Sequence, residues 1–294
     1  MYHVGIDIGG TKINMGIVDD DGKVYAKHKL YVKQLDDIVS DTADAVLSLI
    51  RANGIDKNSV SSIGIGMPGT VSDDGKRILK APNLNVPGDL ASSFEKKLGI
   101  PVSLIQDSRA ACNGEYKAGA GMGKKTLMCL TLGTGIGTGL ILDGKVFGGA
   151  LGCAGEIGHT PVKPDGRVCG CGKCGCVEKY SAGLGLDMTA SELYGEGMTS
   201  AYLFEMAEMG DRNAVDALND AVMLLGNVIV GAVNLISPDC VLFSGGLSNV
   251  KALYADRIIE YVKSHCYSSD GIIPEIGYAT LGEDAPMIGA ALIS

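Results

Sequence analysis

Glu156, His159, Cys169, Cys171, Cys174, Cys176 and Glu178 crowd into one short stretch of the chain, and their types could do two kinds of chemistry. Thiolate sulfur and imidazole nitrogen are the ligands zinc prefers, and four of them close a tetrahedral structural site. His159, Cys169, Cys171 and Cys176 are the expected ligands, with Cys174 as the spare. The other reading of the same cysteines is a pair of disulfides; the absence of any export signal favours metal-binding thiols. Glu156, Glu178 and the second ring nitrogen of His159 suit the vicinal hydroxyls of a sugar.

Two further segments could hold phosphate. Asp7-Ile-Gly-Gly-Thr-Lys12 places a carboxylate at a strand end, Gly9 and Gly10 where a backbone must come close to something, and the hydroxyl of Thr11 and the ammonium of Lys12 just beyond. An ordinary β-turn has the same composition. Gly133-Thr134-Gly135-Ile-Gly137-Thr-Gly139 is neither a Walker motif, lacking its lysine, nor a Rossmann fingerprint, since it joins two strands. Gly245 and Gly246 follow a buried strand and suit a base or ribose on a strand-to-helix turn. Asp107 follows a strand and opens a helix. It is either an N-cap or a general base that takes a hydroxyl proton.

The elements that must position these groups repeat. Residues 4–25 and 127–147 each read as strand, Gly-rich turn, strand, Asp-Gly hairpin turn, strand, with Asp21-Gly22 and Asp143-Gly144 at matching places. Helical periodicity spans 35–53, 89–98, 108–118, 182–194, 199–209, 212–236 and 250–266, with a last helix from about 285. Strands are expected at 60–67, 102–106, 240–243 and 275–279. Strands alternating with helices make an α/β fold of two domains with a cleft between them. Residues 1–108 form the smaller N-terminal domain, completed by the terminal helix 285–294, and 109–284 form the larger one, which carries segment 159–178.

Composition narrows the function. The 294-residue chain has a net charge of −9 and no run of lysine or arginine, so the footprint of a nucleic-acid binder is missing. No leader-like segment opens it and no uninterrupted apolar run spans a bilayer, which predicts a cytoplasmic protein with no membrane partner. The 43 glycines cluster within apolar sequence, as tight turns near a ligand would require.

Taken together, these motifs resemble the ROK family of bacterial sugar kinases and sugar-responsive repressors, within the actin-like ATPase (ribonuclease H-like) folds. The likeness covers essentially the whole chain and rests on Asp7 to Lys12, Gly66-Met-Pro-Gly69, Pro82-Asn83-Leu84, Asp107, the turn 133–139, Gly155-Glu156-Ile-Gly-His159, Cys169 to Glu178 and Ser244 to Leu247. It implies a kinase using ATP and Mg2+ with structural Zn2+, phosphorylating a hexose, with glucose as the foremost substrate. Asp107 would be the base, and Gly69, Asn83, Gln106, Glu156, His159 and Glu178 would surround the sugar. A homodimer or homotetramer is also implied. DNA-binding members carry a helix-turn-helix domain ahead of the first motif, which here begins at Asp7. Glucose-type members usually have Asn where this chain has Gln106, so allose, N-acetylmannosamine, mannose, fructose and β-glucosides stay open as substrates. A non-catalytic sugar sensor is the remaining alternative.

Overall fold

The computed structural model describes residues 1–72, 74–81 and 86–293. Strands β1 (Tyr2–Ile8), β2 (Lys12–Asp19) and β3 (Val24–Tyr31) form an antiparallel meander. Helix α1 (Ile38–Ala52), β4 (Val60–Met67), the short pair β5 (Thr70–Val71) and β6 (Ile78–Lys80), α2 (Leu90–Leu98), β7 (Val102–Gln106) and α3 (Asp107–Ala118) follow. β4 runs parallel to β1 and β7 parallel to β4, giving the order β3-β2-β1-β4-β7. Val4, Ile6 and Ile8 alternate along β1 and share one core with Val46 and Ile50 of α1 and Phe94 of α2. Asp37 starts α1 by accepting from the Ser40 amide at 2.6 Å, and Gly99, left-handed at φ 63°, ends α2.

The same connectivity then recurs. β8 (Leu127–Leu132), β9 (Ile136–Leu142) and β10 (Lys145–Val146) precede α4 (Glu178–Ser181), α5 (Gly183–Tyr194), α6 (Ser200–Glu208) and α7 (Arg212–Ile236). β11 (Cys240–Ser244), a π-turn at Lys251–Ala255 running into α8 (Asp256–His265), β12 (Glu275–Tyr278) and α9 (Ala285–Ala291) complete the chain. The second sheet has the order β10-β9-β8-β11-β12, with β11 parallel to both β8 and β12. The three-stranded unit occurs twice, as the internal repeat predicts, and in each sheet two parallel strands follow it. Asp143 at φ 49° and Gly144 at φ 77° make the two-residue turn between β9 and β10, where both positions must be left-handed.

The chain divides into two compact units, one of residues 1–124, 139–154 and 279–294, the other of residues 125–138 and 155–278. The first unit thus takes in α3 and the β9–β10 turn together with α9. Glycine explains how α9 is seated. A Cβ on Gly5 would stand 1.9 Å from the Met287 carbonyl oxygen and one on Gly64 1.7 Å from that of Ala290, so the helix rests directly on the backbone of β1 and β4. In the second unit, α7 is the one helix among the described residues long and apolar enough to cross a membrane by length and composition. Its Leu218, Leu225, Ile229 and Val233 are buried, while Asp220 bonds Lys163 at 2.6 Å.

Candidate active site

The cysteine segment of the second unit folds as a tight knuckle. Short antiparallel bridges pair Pro161 with Cys176 and Val168 with Cys174, and the Cys169 amide donates to the Lys173 carbonyl at 2.8 Å. The ligand atoms of His159, Cys169, Cys171 and Cys176 all lie within 4.8 Å of one another. Cys169 Sγ is 3.5 Å from His159 Nδ1, and Cys171 Sγ is 3.6 Å from Cys176 Sγ. Ligands on a tetrahedral zinc ion stand about 3.5–3.8 Å apart, given metal–ligand bonds of about 2.0–2.3 Å, so the donor set fits that ion in both chemistry and spacing. All nine cysteines are free, and Cys174 is exposed outside the cluster.

The sugar-facing candidates gather on this knuckle. His159 Nε2 is 3.9 Å from Glu156 Oε2, while its Nδ1 points to the cluster. Glu178 opens α4 and accepts from Cys169 Sγ at 3.0 Å. Its other oxygen would lie 3.0 Å from a Cβ on Gly135. Glu178 thus joins the histidine–cysteine cluster to the second Gly-rich turn. Gly133 and Thr134 are tied in turn to the start of α5, through Gly183 N to the Gly133 carbonyl at 2.8 Å and Leu184 N to the Thr134 carbonyl at 3.2 Å. Gly137 lies inside β9. Gly245, at φ 87°, sits so close to β8 that a Cβ would be 2.4 Å from the Leu132 carbonyl oxygen, and Gly246 faces open space. The turn at 133–135, the pair 245–246 and the cluster therefore occupy one end of this sheet.

In the first unit, Asp7 is the penultimate residue of β1 and Gly9 N closes the following turn on the Lys12 carbonyl at 3.0 Å. Gly10 has nothing within 4 Å of where its Cβ would be, which leaves the turn open to an approaching ligand. Burial raises the Asp7 carboxyl from 3.8 to about 6; the Asn14 amide, 3.4 Å away, opposes this and the charge of Asp107 adds to it. Asp107 is also raised by burial, against bonds from the Ser108 amide at 2.6 Å and the Ser108 hydroxyl at 3.2 Å. The N-cap of α3 is Gln106, whose Oε1 accepts from the Arg109 amide at 3.0 Å. Asp107 is therefore not the cap of α3, and the amide nitrogen of Gln106 is left to donate to a hydroxyl. Gly69, at φ 115°, packs where a Cβ would be 2.1 Å from the Lys80 carbonyl. Asn83 lies outside the described residues.

The ROK family model matches residues 3–294. The chain belongs to the ROK family. A glucokinase of Streptomyces coelicolor is 31% identical over 307 residues, covering 98% of this chain and 96% of its own. Among solved structures, a ROK hexokinase from Thermus thermophilus superposes with a TM-score of 0.87 at 30% identity, covering 99% of this chain and 97% of that one. A ROK family glucokinase from Streptomyces griseus, in complex with glucose and AMPPNP, gives a TM-score of 0.78 at 32% identity, covering 99% and 98%. The two matching sheets are thus those of the actin-like ATPase fold of ROK kinases.

Several residues of this ROK chain carry the site without having shown themselves in the motifs. Asn14 bonds Asp7 from the facing strand, and Glu283 holds Lys12 at 2.9 Å. Arg167 anchors the knuckle by donating to the Lys179 carbonyl at 2.7 Å and the Gly185 carbonyl at 2.9 Å. Each contact joins separate segments, and nothing in the local sequence marks it.

Proposed function

We propose that this chain transfers the γ-phosphoryl group of ATP to a hydroxyl of a hexose, with glucose to glucose 6-phosphate as the leading reaction. The observation that carries the reading is the pair Asp7 and Asp107, two half-buried carboxylates at the carboxyl ends of the parallel strands β1 and β7, each raised in its affinity for a proton by desolvation. Strand carboxyl ends are where open α/β sheets take ligands. Asp107 would accept the hydroxyl proton as the sugar oxygen bonds to the γ-phosphorus and the bond to the leaving ADP oxygen breaks. Asp7, Thr11, Lys12 and the open backbone of Gly9 and Gly10 would hold phosphate oxygens together with magnesium. A bound Mg2+ supplies neutralisation of charge on the β- and γ-phosphates. Gly133 to Gly137 and Gly245-Gly246 would cradle the rest of the nucleotide.

Glu156, His159 and Glu178 would bind the sugar hydroxyls, and Gly69, Asn83 and Gln106 are the further residues proposed for the sugar. Zinc on His159, Cys169, Cys171 and Cys176 would fix the knuckle that presents two of these groups. The glucokinases of Streptomyces support glucose as the acceptor. Gln106 supports a second acceptor, since its longer side chain is committed to the helix cap; allose, N-acetylmannosamine, mannose, fructose and β-glucosides belong in the same panel. Assembly as a homodimer or homotetramer completes the reading and is checked by light scattering. The deciding experiment is ATP consumption by purified protein across that hexose panel, with the product identified by phosphorus NMR. No turnover on any hexose, in protein that binds ATP, would leave a sugar-responsive regulator as the function.

A further inference from the structure

We propose that Arg167 is a positioning residue whose guanidinium fixes two groups of the second unit against one another: Glu178, on the sugar side, and the Gly-rich turn 133–135, on the nucleotide side. The inference rests on the roles proposed above for those two groups. Neither group holds itself in place. Glu178 opens α4, a single turn of four residues, and a helix that short is not stable without outside partners. Its carboxylate accepts from Cys169 Sγ at 3.0 Å, but a cysteine bound to zinc is a thiolate with no proton to give. That bond therefore cannot fix Glu178 once the metal is in place. The turn 133–135 leans in the same way on the start of α5, whose Gly183 and Leu184 amides donate to the Gly133 and Thr134 carbonyls.

Arg167 reaches both. Its Nη1 donates to the Lys179 carbonyl, one residue after Glu178, at 2.7 Å, and to the Gly185 carbonyl, one residue after Leu184, at 2.9 Å. A Cβ on Gly185 would stand 2.6 Å from the Glu178 carbonyl oxygen, so α4 and α5 meet backbone to backbone where the guanidinium spans them. Nη2 donates to the Thr189 hydroxyl at 2.9 Å and to Glu192 Oε2 at 2.5 Å, and Nε to Glu192 Oε1 at 3.1 Å. These bonds match the five N–H groups of the planar fork, an arrangement that a lysine ammonium on its flexible stem cannot copy. Tyr180 of α4 fastens the joint again: its ring centre lies 5.0 Å from the guanidinium, and its hydroxyl accepts from the Arg167 amide at 2.8 Å. The Arg167 side chain is only 13% exposed, which keeps water and salt from weakening these contacts.

This brace is separate from the one a metal supplies. The cysteines are brought together by backbone pairing, Pro161 with Cys176, Val168 with Cys174 and the Cys169 amide with the Lys173 carbonyl, and the guanidinium takes part in none of it. Removing the fork should therefore loosen the sugar and the nucleotide together while the zinc ligands stay assembled.

The test is calorimetric titration of the whole protein with glucose and, separately, with AMPPNP and magnesium, beside elemental analysis for zinc and a melting curve. Arg167→Lys keeps the charge and loses the fork. It is expected to weaken both ligands about tenfold or more, the scale of losing one hydrogen bond from a charged group, with zinc content as in wild type. Glu192→Gln removes an exposed charge and leaves both carbonyl bonds, so it should hold both affinities within about twofold of wild type. If Arg167→Lys does not fold, Tyr180→Phe, which takes away only the hydroxyl on the Arg167 amide, carries the comparison with a smaller loss in the same direction. Wild-type affinities in Arg167→Lys overturn the proposal, as does a loss that appears only together with loss of zinc. Weakening of one ligand alone overturns the joint role. Wild type that binds both ligands but phosphorylates no hexose, with Arg167→Lys weakened for both, keeps the brace and loses the kinase reading. Wild type that binds neither ligand overturns the roles of Glu178 and the 133–135 turn, and this proposal with them.

Discussion

Lys12 Nζ donates to Glu283 Oε2 at 2.9 Å across 271 positions of sequence, so the ammonium of the first Gly-rich turn is held by the segment just before α9. Both side chains are largely exposed, at 39% and 76%, and such a pair is worth less than about 1 kcal/mol. A phosphate can therefore take the lysine at little cost. Glu283→Gln is expected to leave folding stability nearly unchanged and to lower KM for ATP by about two- to fivefold, while Lys12→Met raises it. If neither substitution moves KM for ATP, Lys12 does not contact the nucleotide.

The Asp7 carboxyl makes stability depend on pH in a direction opposite to that of a salt-bridged aspartate. Its folded value, about 6, is above the ordinary 3.8, so the folded state holds the proton more tightly and its contribution is lost as pH rises from 3.8 through 6. Above that window a buried charge remains. Asp7→Asn should therefore stabilise the protein at pH 8, without nucleotide or magnesium, by up to about 3 kcal/mol, with the gain shrinking toward zero near pH 4. Turnover should be abolished in the same variant. Urea unfolding at the two pH values checks it, and an equal effect at both would remove burial of this charge as the cause.

Asp107→Asn should lower kcat by about 10²-fold or more and leave sugar affinity largely intact, because the amide fills the same space but cannot take the proton. Burial raises Asp107, so the acid limb of kcat/KM in wild type should have its midpoint above the ordinary carboxylate value, with activity rising as the base ionises. Steady-state kinetics across pH tests both statements. Turnover within about tenfold of wild type would take the base role away from Asp107.

One zinc ion per chain is expected, and Cys176→Ser should lower both zinc content and sugar affinity. The coupling follows from Glu178 and His159, which sit 3.0 Å and 3.5 Å from Cys169 Sγ and depend on the knuckle for their place. Losses of about 10–100-fold in metal affinity or activity are usual when such support is removed. Elemental analysis beside calorimetry with glucose decides it; fully active protein without zinc would end the structural-metal reading.

Gln106→Asn should improve both a helix cap and a preference. Asn is among the favoured N-cap residues, so α3 should be slightly more stable, and the shorter amide should raise kcat/KM for glucose relative to allose or N-acetylmannosamine. The ratio is measured in both proteins on one panel. An unchanged ratio would confine Gln106 to its capping role.

The sequence by itself determined the elements and their duplication. Period-2 alternation, the Asp-Gly turns and helical spacing are local signals, and β1 to β3, β4, β7, α7 and β11 lie where those signals place them. It also singled out His159, Cys169, Cys171 and Cys176, whose ligand atoms come within 4.8 Å of one another, because four donors within one short segment need only a turn to meet. What it could not decide was every relationship between distant segments. The spacing around Asp107 allowed it to be the N-cap of α3, and only the assembled structure gives that place to Gln106, whose Oε1 accepts from the Arg109 amide. Glu283 meets Lys12, and α9 rests on Gly5 and Gly64, because backbone packing brings the chain end beside its beginning. The raised carboxyls of Asp7 and Asp107 are likewise products of burial, a property of the assembled core that no stretch of sequence carries alone.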